Sequence, residues 1–320
     1  MEGFYKLAKM VVNKKFPNED DDLKAFFICA IYGLLCKYNN CPEIVCDVFL
    51  KVDLYMEKDT VNNILKKYNI DIEFEDDDDE NNKTYAVSSQ GYSFIYNEIS
   101  DCIDCVKDNS FIVCSLKNVT TTMLLNSFCH EMGHLIKGNL DGFNVFKEEN
   151  ISNFYMRTGL GHNIYTYNSK KDTLSEKQIF TYFEEAINTI QTTEVMKEIL
   201  DIVKYTDDPS IHEFVSTLDK KDMLEDHGYE GVVEVVRKLW EIDEVKKVIE
   251  ENIVDGTIEE SIYRINKMLN DIYGFVRICG IVDNIALNYW DEDKDDYLNK
   301  QYNKFDNLIN KIKSYQKTKK

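Results

Sequence analysis

Residues 120–137 read TTTMLLNSFCHEMGHLIK. Threonines crowd the start of this stretch, Met123, Leu124, Phe128, Met132, Leu135 and Ile136 recur at helical spacing, and Gly138-Asn139 supplies a stop, so it is expected to form one amphipathic helix. Its second half contains His130-Glu131-Met132-Gly133-His134, an HExxH pentad. Two imidazoles four residues apart on a helix share a face, with Cβ atoms roughly 5–6 Å apart, and can grip one metal ion. Glu131 lies about 100° round the helix from His130, so it flanks such an ion and stays free to take a proton from a bound water. With five histidines in 320 residues, chance would place this pentad in a chain on the order of once in a hundred. A hydrolytic zinc enzyme is therefore the leading expectation.

A catalytic zinc takes three protein ligands and keeps a fourth position open; two histidines and a carboxylate leave the ion with net charge near +1. The third ligand has to come from another element packed against the first helix. Glu184-Glu185-Ala186-Ile187-Asn188-Thr189 is expected inside a second helix, where the small Ala186 beside a carboxylate lets two helices approach closely enough for one ion to bridge them. Glu185 is the expected ligand. Glu184 is the alternative, and because neighbours on a helix differ by about 100°, only one of the two can face the metal.

HEMGH followed by EEAINT resembles the gluzincin metallopeptidases, thermolysin-like in the broad sense, whose second motif reads approximately Asn-Glu-Ala-Ile-Ser-Asp with its Glu as ligand. By position Glu185 matches that ligand and Glu184 matches the Asn. The resemblance covers residues 110–194; its first motif is specific and its second is short. It implies a zincin-like α+β fold, a bound Zn2+ and hydrolysis of peptide bonds in a peptide or protein substrate. Glu131 would then activate the zinc water and later protonate the leaving amine. An oxyanion donor is also implied, with His162, His212, His227, Tyr155, Tyr165, Tyr167 and Tyr229 as candidates and His227 preferred for its loop-like downstream setting. Two departures stand out. Thr189 occupies the place of a carboxylate that orients a first-motif histidine in the family, so Asn188 or a backbone carbonyl would have to take that part. The gap between the motifs is also longer than in thermolysin. The metzincin pattern is disfavoured, because Lys137 and Leu140 stand where it needs Gly and His.

Around this centre the texture changes along the chain. Residues 4–12, 23–38, 44–56 and 60–68 carry helical spacing, and the acidic, non-periodic run 73–82 reads as an exposed loop. Strands are expected at 85–88, 92–97 and 110–116, the last as an edge able to pair with an extended peptide. Residues 151–168 read as extended, interrupted by Gly159 and Gly161, and the second helix is expected to begin at Thr173 or Ser175, where two capping-box patterns overlap. Beyond residue 205 the pattern is helical almost to the end. The expected organisation is a helical N-terminal subdomain (1–72), a zincin-like core (83–200) holding a small mixed sheet and the active-site helix, and a helical C-terminal subdomain (201–320).

Bulk properties remove other classes. A net charge of −20 disfavours nucleic acid and anionic lipid as partners. No stretch approaches the 18 or so apolar residues that a bilayer span needs, and the N-terminus lacks the pattern of a secretory signal, so a cytoplasmic location is expected. Nine cysteines form an odd set lying mostly in apolar runs, as buried reduced thiols do. The lone pair Cys102 and Cys105 has neither a second pair for zinc nor a thioredoxin-like setting. A zincin-like binding protein without turnover is the alternative function, and the sequence does not set the oligomeric state.

Overall fold

The computed structural model describes residues 1–68, 70, 86–89, 92–97, 102–107, 110–146, 151–168, 170–171, 173–252, 258–289 and 291–319. The acidic run 73–82 lies outside them. Helices α1 (Glu2–Lys15), α2 (Asp21–Lys37), α3 (Pro42–Lys51) and α4 (Val61–Lys67) open the chain, with strand β1 (Asp53–Glu57) between the last two; β2 (Ala86–Ser89), β3 (Tyr92–Asn97), β4 (Cys102–Lys107) and β5 (Phe111–Ser115) follow. Helix α5 (Thr121–Lys137) leads into β6 (Gly138–Phe146), β7 (Ile151–Thr158), β8 (Gly161–Asn168) and β9 (Thr173–Ile179), and then come α6 (Thr181–Asp201), α7 (Pro209–Ser216), α8 (Glu230–Trp240), α9 (Asp243–Asn252), α10 (Ile258–Leu269), α11 (Gly274–Ala286) and α12 (Asp295–Lys319). The chain is α+β, as expected. No helix among the described residues is long and apolar enough to cross a membrane.

Backbone contacts divide it into two units, Met1–Tyr96 with Asp104–Ile136 and Gln191–Glu225, and Asn97–Ile103 with Lys137–Ile190 and Asp226–Lys320. The first is built on α2, which is buried from Ala25 through Cys36. A helix apolar all round belongs inside a protein, and here other helices cover it. Phe27 of α2 packs against Phe49 of α3 and Phe128 of α5, with ring centroids 5.7 and 5.3 Å away. At Gly33 a Cβ would stand 2.7 Å from Ile199 Cγ1 and 2.9 Å from the Val195 carbonyl oxygen, so α2 and the second half of α6 touch through a missing side chain. Gly33→Ala is expected to lower stability by about 1–3 kcal/mol through overpacking. Urea unfolding measures this, and an unchanged midpoint would deny the close approach.

The sheet of this unit has the order β1-β5-β2, with β1 parallel and β2 antiparallel to β5. It is small and mixed, as expected, but two readings need correcting. The helix expected over 44–56 ends at Lys51, because Asp53-Leu54-Tyr55-Met56-Glu57 finds a parallel partner in β5. Strand β5 is the middle strand, paired on both sides, and so cannot be the edge that accepts a peptide; β2 is an edge among the described residues.

The second unit holds an antiparallel sheet, β6-β7-β8-β9. The extended reading of 151–168 is right: β7 and β8 are joined by the two-residue turn Gly159-Leu160, with Thr158 opposite Gly161. The helix expected from Thr173 or Ser175 is not there. Thr173-Leu174-Ser175-Glu176-Lys177-Gln178-Ile179 pairs along β8 instead, since a seven-residue ladder outweighs a local capping pattern that can satisfy only one or two amides. The chain turns at Phe180, φ +61°, and α6 begins at Thr181. Phe183, Ala186, Ile187 and Ile190 of its first half join a core formed with α8, α10, α11 and α12, including Val236, Ile265, Phe275 and Phe305.

Candidate metal centre

Helix α5 forms where the sequence placed it. The Thr120 hydroxyl accepts the Met123 amide at 3.1 Å, capping the first turn. The buried stripe is Leu125, Phe128, Cys129, Met132, Leu135 and Ile136, one register tighter than the sequence pattern, which used the half-buried Met123 and Leu124 instead. Those six positions cover less than half the circumference. The remainder presents His130, Glu131 and His134, each half-buried.

The two imidazoles are aimed at one point. Their Nε2 atoms stand 3.0 Å apart, and the ring centroids are 4.7 Å apart at 79°. Bonds of about 2.0–2.1 Å at a tetrahedral angle would separate two zinc-bound nitrogens by about 3.3–3.4 Å, so the pair is already close to the required spacing. Glu185 on α6 brings a carboxylate oxygen to the same place: the ligand atoms of His130, His134 and Glu185 lie within 4.8 Å of one another. Two imidazole nitrogens and one carboxylate are the donor set of an open catalytic zinc site rather than of a closed structural one. The residues fit the ion.

Glu131 is not in that group. Its Oε2 accepts a hydrogen bond from the Ser88 hydroxyl at 2.7 Å, which ties it to the edge strand β2. Glu184, the alternative ligand, is committed elsewhere. It is 2% exposed, forms an ion pair with Lys137 and accepts the Leu160 amide on its second oxygen at 2.8 Å. Of the adjacent glutamates, Glu185 is the one that joins the histidines.

The other sequence candidates occupy varied positions. His227 is half-buried in the connection before α8 and outside the three-residue group; beside it, Asp226 is held by the Arg237 guanidinium, with Nε 3.0 Å from the carboxylate. Tyr229 has φ +52°, and its ring meets Tyr182 at 6.4 Å. His162, Tyr155, Tyr165 and Tyr167 are on β7 and β8. The ring of His212 bonds the Thr206 carbonyl oxygen at 2.7 Å, a contact local to the start of α7. Asn188 and Thr189, which follow Glu185 by one turn, are both buried. Cys129, next to His130, is core: burial alone pushes its thiol far above the ordinary range, while for Cys114 burial does most of this and the Glu131 carboxylate adds to it. Cys102 and Cys105 lie on β4.

Ser88 and Lys137 were invisible as site residues in the sequence. A serine in a four-residue strand carries no signal of its own, and a lysine closing a helix reads as an ordinary solvated C-terminal cation. Comparison with protein-family models, curated proteins and solved structures finds no match to this chain.

Proposed function

We propose that the chain is a zinc-dependent metallopeptidase of zincin-like fold, hydrolysing peptide bonds with an activated water. The single observation that carries this reading is the convergence of His130, His134 and Glu185 within 4.8 Å, with Glu131 between the two histidines on α5. Zinc bound by that set would supply Lewis acidity, lowering the pKa of a bound water to about 7 and polarising a carbonyl oxygen.

The protein's own residues do the rest. Glu131 Oε2 takes the water's proton and returns it to the departing amine, and the Ser88 hydroxyl keeps that carboxylate from turning back onto its helix. Strand β2, an edge of its sheet among the described residues and the strand that carries Ser88, is where an extended chain would add by backbone pairing, which favours a peptide substrate recognised by strand pairing over one read side chain by side chain. A net charge of −20 favours neutral or cationic segments over anionic ones.

The test is hydrolysis of a mixed peptide library by purified protein. Cleavage that a chelator abolishes and stoichiometric zinc restores is expected. Zinc retained at one equivalent with the library left intact would replace the enzyme by a zincin-like binding protein. A protein that takes up no zinc would remove the proposal altogether.

A further inference from the structure

A buried ion pair stands beside the proposed metal centre and is more elaborate than a tie between two elements requires. Lys137 and Glu184 pair with side chains 0% and 3% exposed. Removing two charges from water costs several kcal/mol each, and apolar replacements of similar volume are often as stable or more so, so such a pair is poor evidence of a stability role. Here every part of it is fitted. Glu184 accepts the Leu160 amide at 2.8 Å, and the Lys137 carbonyl accepts the Gly159 amide at 3.2 Å. Gly159 has φ +57°, and a Cβ built on it would run into the Glu184 carboxylate. The position demands glycine twice over, for its backbone and for its neighbour. Arg157 closes the turn, donating from its guanidinium to the Gly159 carbonyl oxygen at 3.4 Å.

The location gives this assembly its meaning. Lys137 ends α5 three residues beyond His134, so the two side chains share a face of that helix. Glu184 directly precedes Glu185 and lies about 100° from it. The lysine thus occupies the acidic neighbour of the expected ligand and fastens the last turn of α5 to the first turn of α6.

We infer that the clamp formed by Lys137, Glu184 and the Gly159 turn is the positioning device of the metal centre, holding Glu184 away from the ion and seating α6 so that Glu185 alone completes the histidine pair. This rests on the metal-centre reading above. It makes Lys137 and Glu184 positioning residues that touch neither substrate nor metal.

The test compares the full-length parent with Lys137→Met, Glu184→Gln, Glu185→Gln and the double variant Lys137→Met with Glu184→Met. Three quantities are measured: zinc affinity by competition with a chromophoric chelator, the visible spectrum of the cobalt-substituted protein, and urea unfolding without metal. Each single change in the clamp removes one member of the buried ion pair and is expected to destabilise the metal-free fold. The double apolar variant is expected to regain parental stability and yet bind zinc about 10–100-fold more weakly, the usual cost of losing an outer partner of a metal ligand, with altered cobalt bands. Glu185→Gln should weaken zinc binding more than Glu184→Gln does. Parental affinity and an unchanged cobalt spectrum in the double variant would overturn the inference, leaving the pair a fold tie only. So would the reverse order of the two glutamate variants. If the parent itself takes up no zinc, the underlying metal-centre reading is what fails.

Discussion

Glu131→Gln is expected to keep a full equivalent of zinc while peptide hydrolysis falls about 10²–10⁴-fold, the range that a positioned general base contributes. The separation of the two readouts follows from the geometry. Glu131 is not in the His130-His134-Glu185 group, and an amide is nearly the size and shape of a carboxylate, so the helix, the histidine pair and the Ser88 contact have no reason to move. The Ser88 hydroxyl can still donate to the amide oxygen, as it donates to Glu131 Oε2 at 2.7 Å in the parent. What is lost is the ability to accept a proton. His134→Ala is the complementary case, because it deletes a ligand; it should lose zinc and activity together. Zinc content by metal analysis and turnover of a cleaved library peptide decide the matter. A Gln variant with undiminished turnover at full occupancy would exclude Glu131 as the base, and one that loses its zinc would show that this carboxylate supports the ion after all.

The contrast between what the sequence disclosed and what it hid follows range. The helix of residues 120–137 was legible because its signals are local: a threonine cap, an apolar stripe and a glycine stop all fall within about 20 residues. The pentad was legible for the same reason, since i and i+4 are neighbours on any helix. Strands β1 and β9 were not, because each is extended only by virtue of a partner, β5 in one case and β8 in the other. The choice between Glu184 and Glu185 illustrates the boundary. Sequence spacing states that they point apart but not which way either points; that is settled by a lysine from α5 and a backbone amide from the β7–β8 turn, both remote in the chain. The buried lysine could not be foreseen at all, since nothing near Lys137 in sequence distinguishes it from an exposed one.

Phe128→Ala is expected to lower stability by about 3–5 kcal/mol, a large part of the roughly 5–15 kcal/mol available to a typical domain. The ring is fully buried and lies among Phe26 and Phe27, with centroids 5.7 and 5.3 Å away. Removing it takes away contacts on several sides at once, and the two neighbouring rings on α2 are too stiff to collapse into the space. Phe128 faces roughly 120–160° away from His130 and His134 around α5, so the loss should fall on the seating of the helix rather than on the ligands. This gives the experiment a second readout. Zinc at about 100 times its dissociation constant should add about 2.7 kcal/mol to any variant whose site is intact. Urea unfolding with and without zinc should therefore show the same metal-dependent increment in parent and variant, on a metal-free baseline displaced downward. A displacement under about 1 kcal/mol would mean that the aromatic cluster does not anchor α5. A normal displacement with a vanished increment would mean instead that the core behind the helix, and not only the clamp at its end, holds the two imidazoles in register.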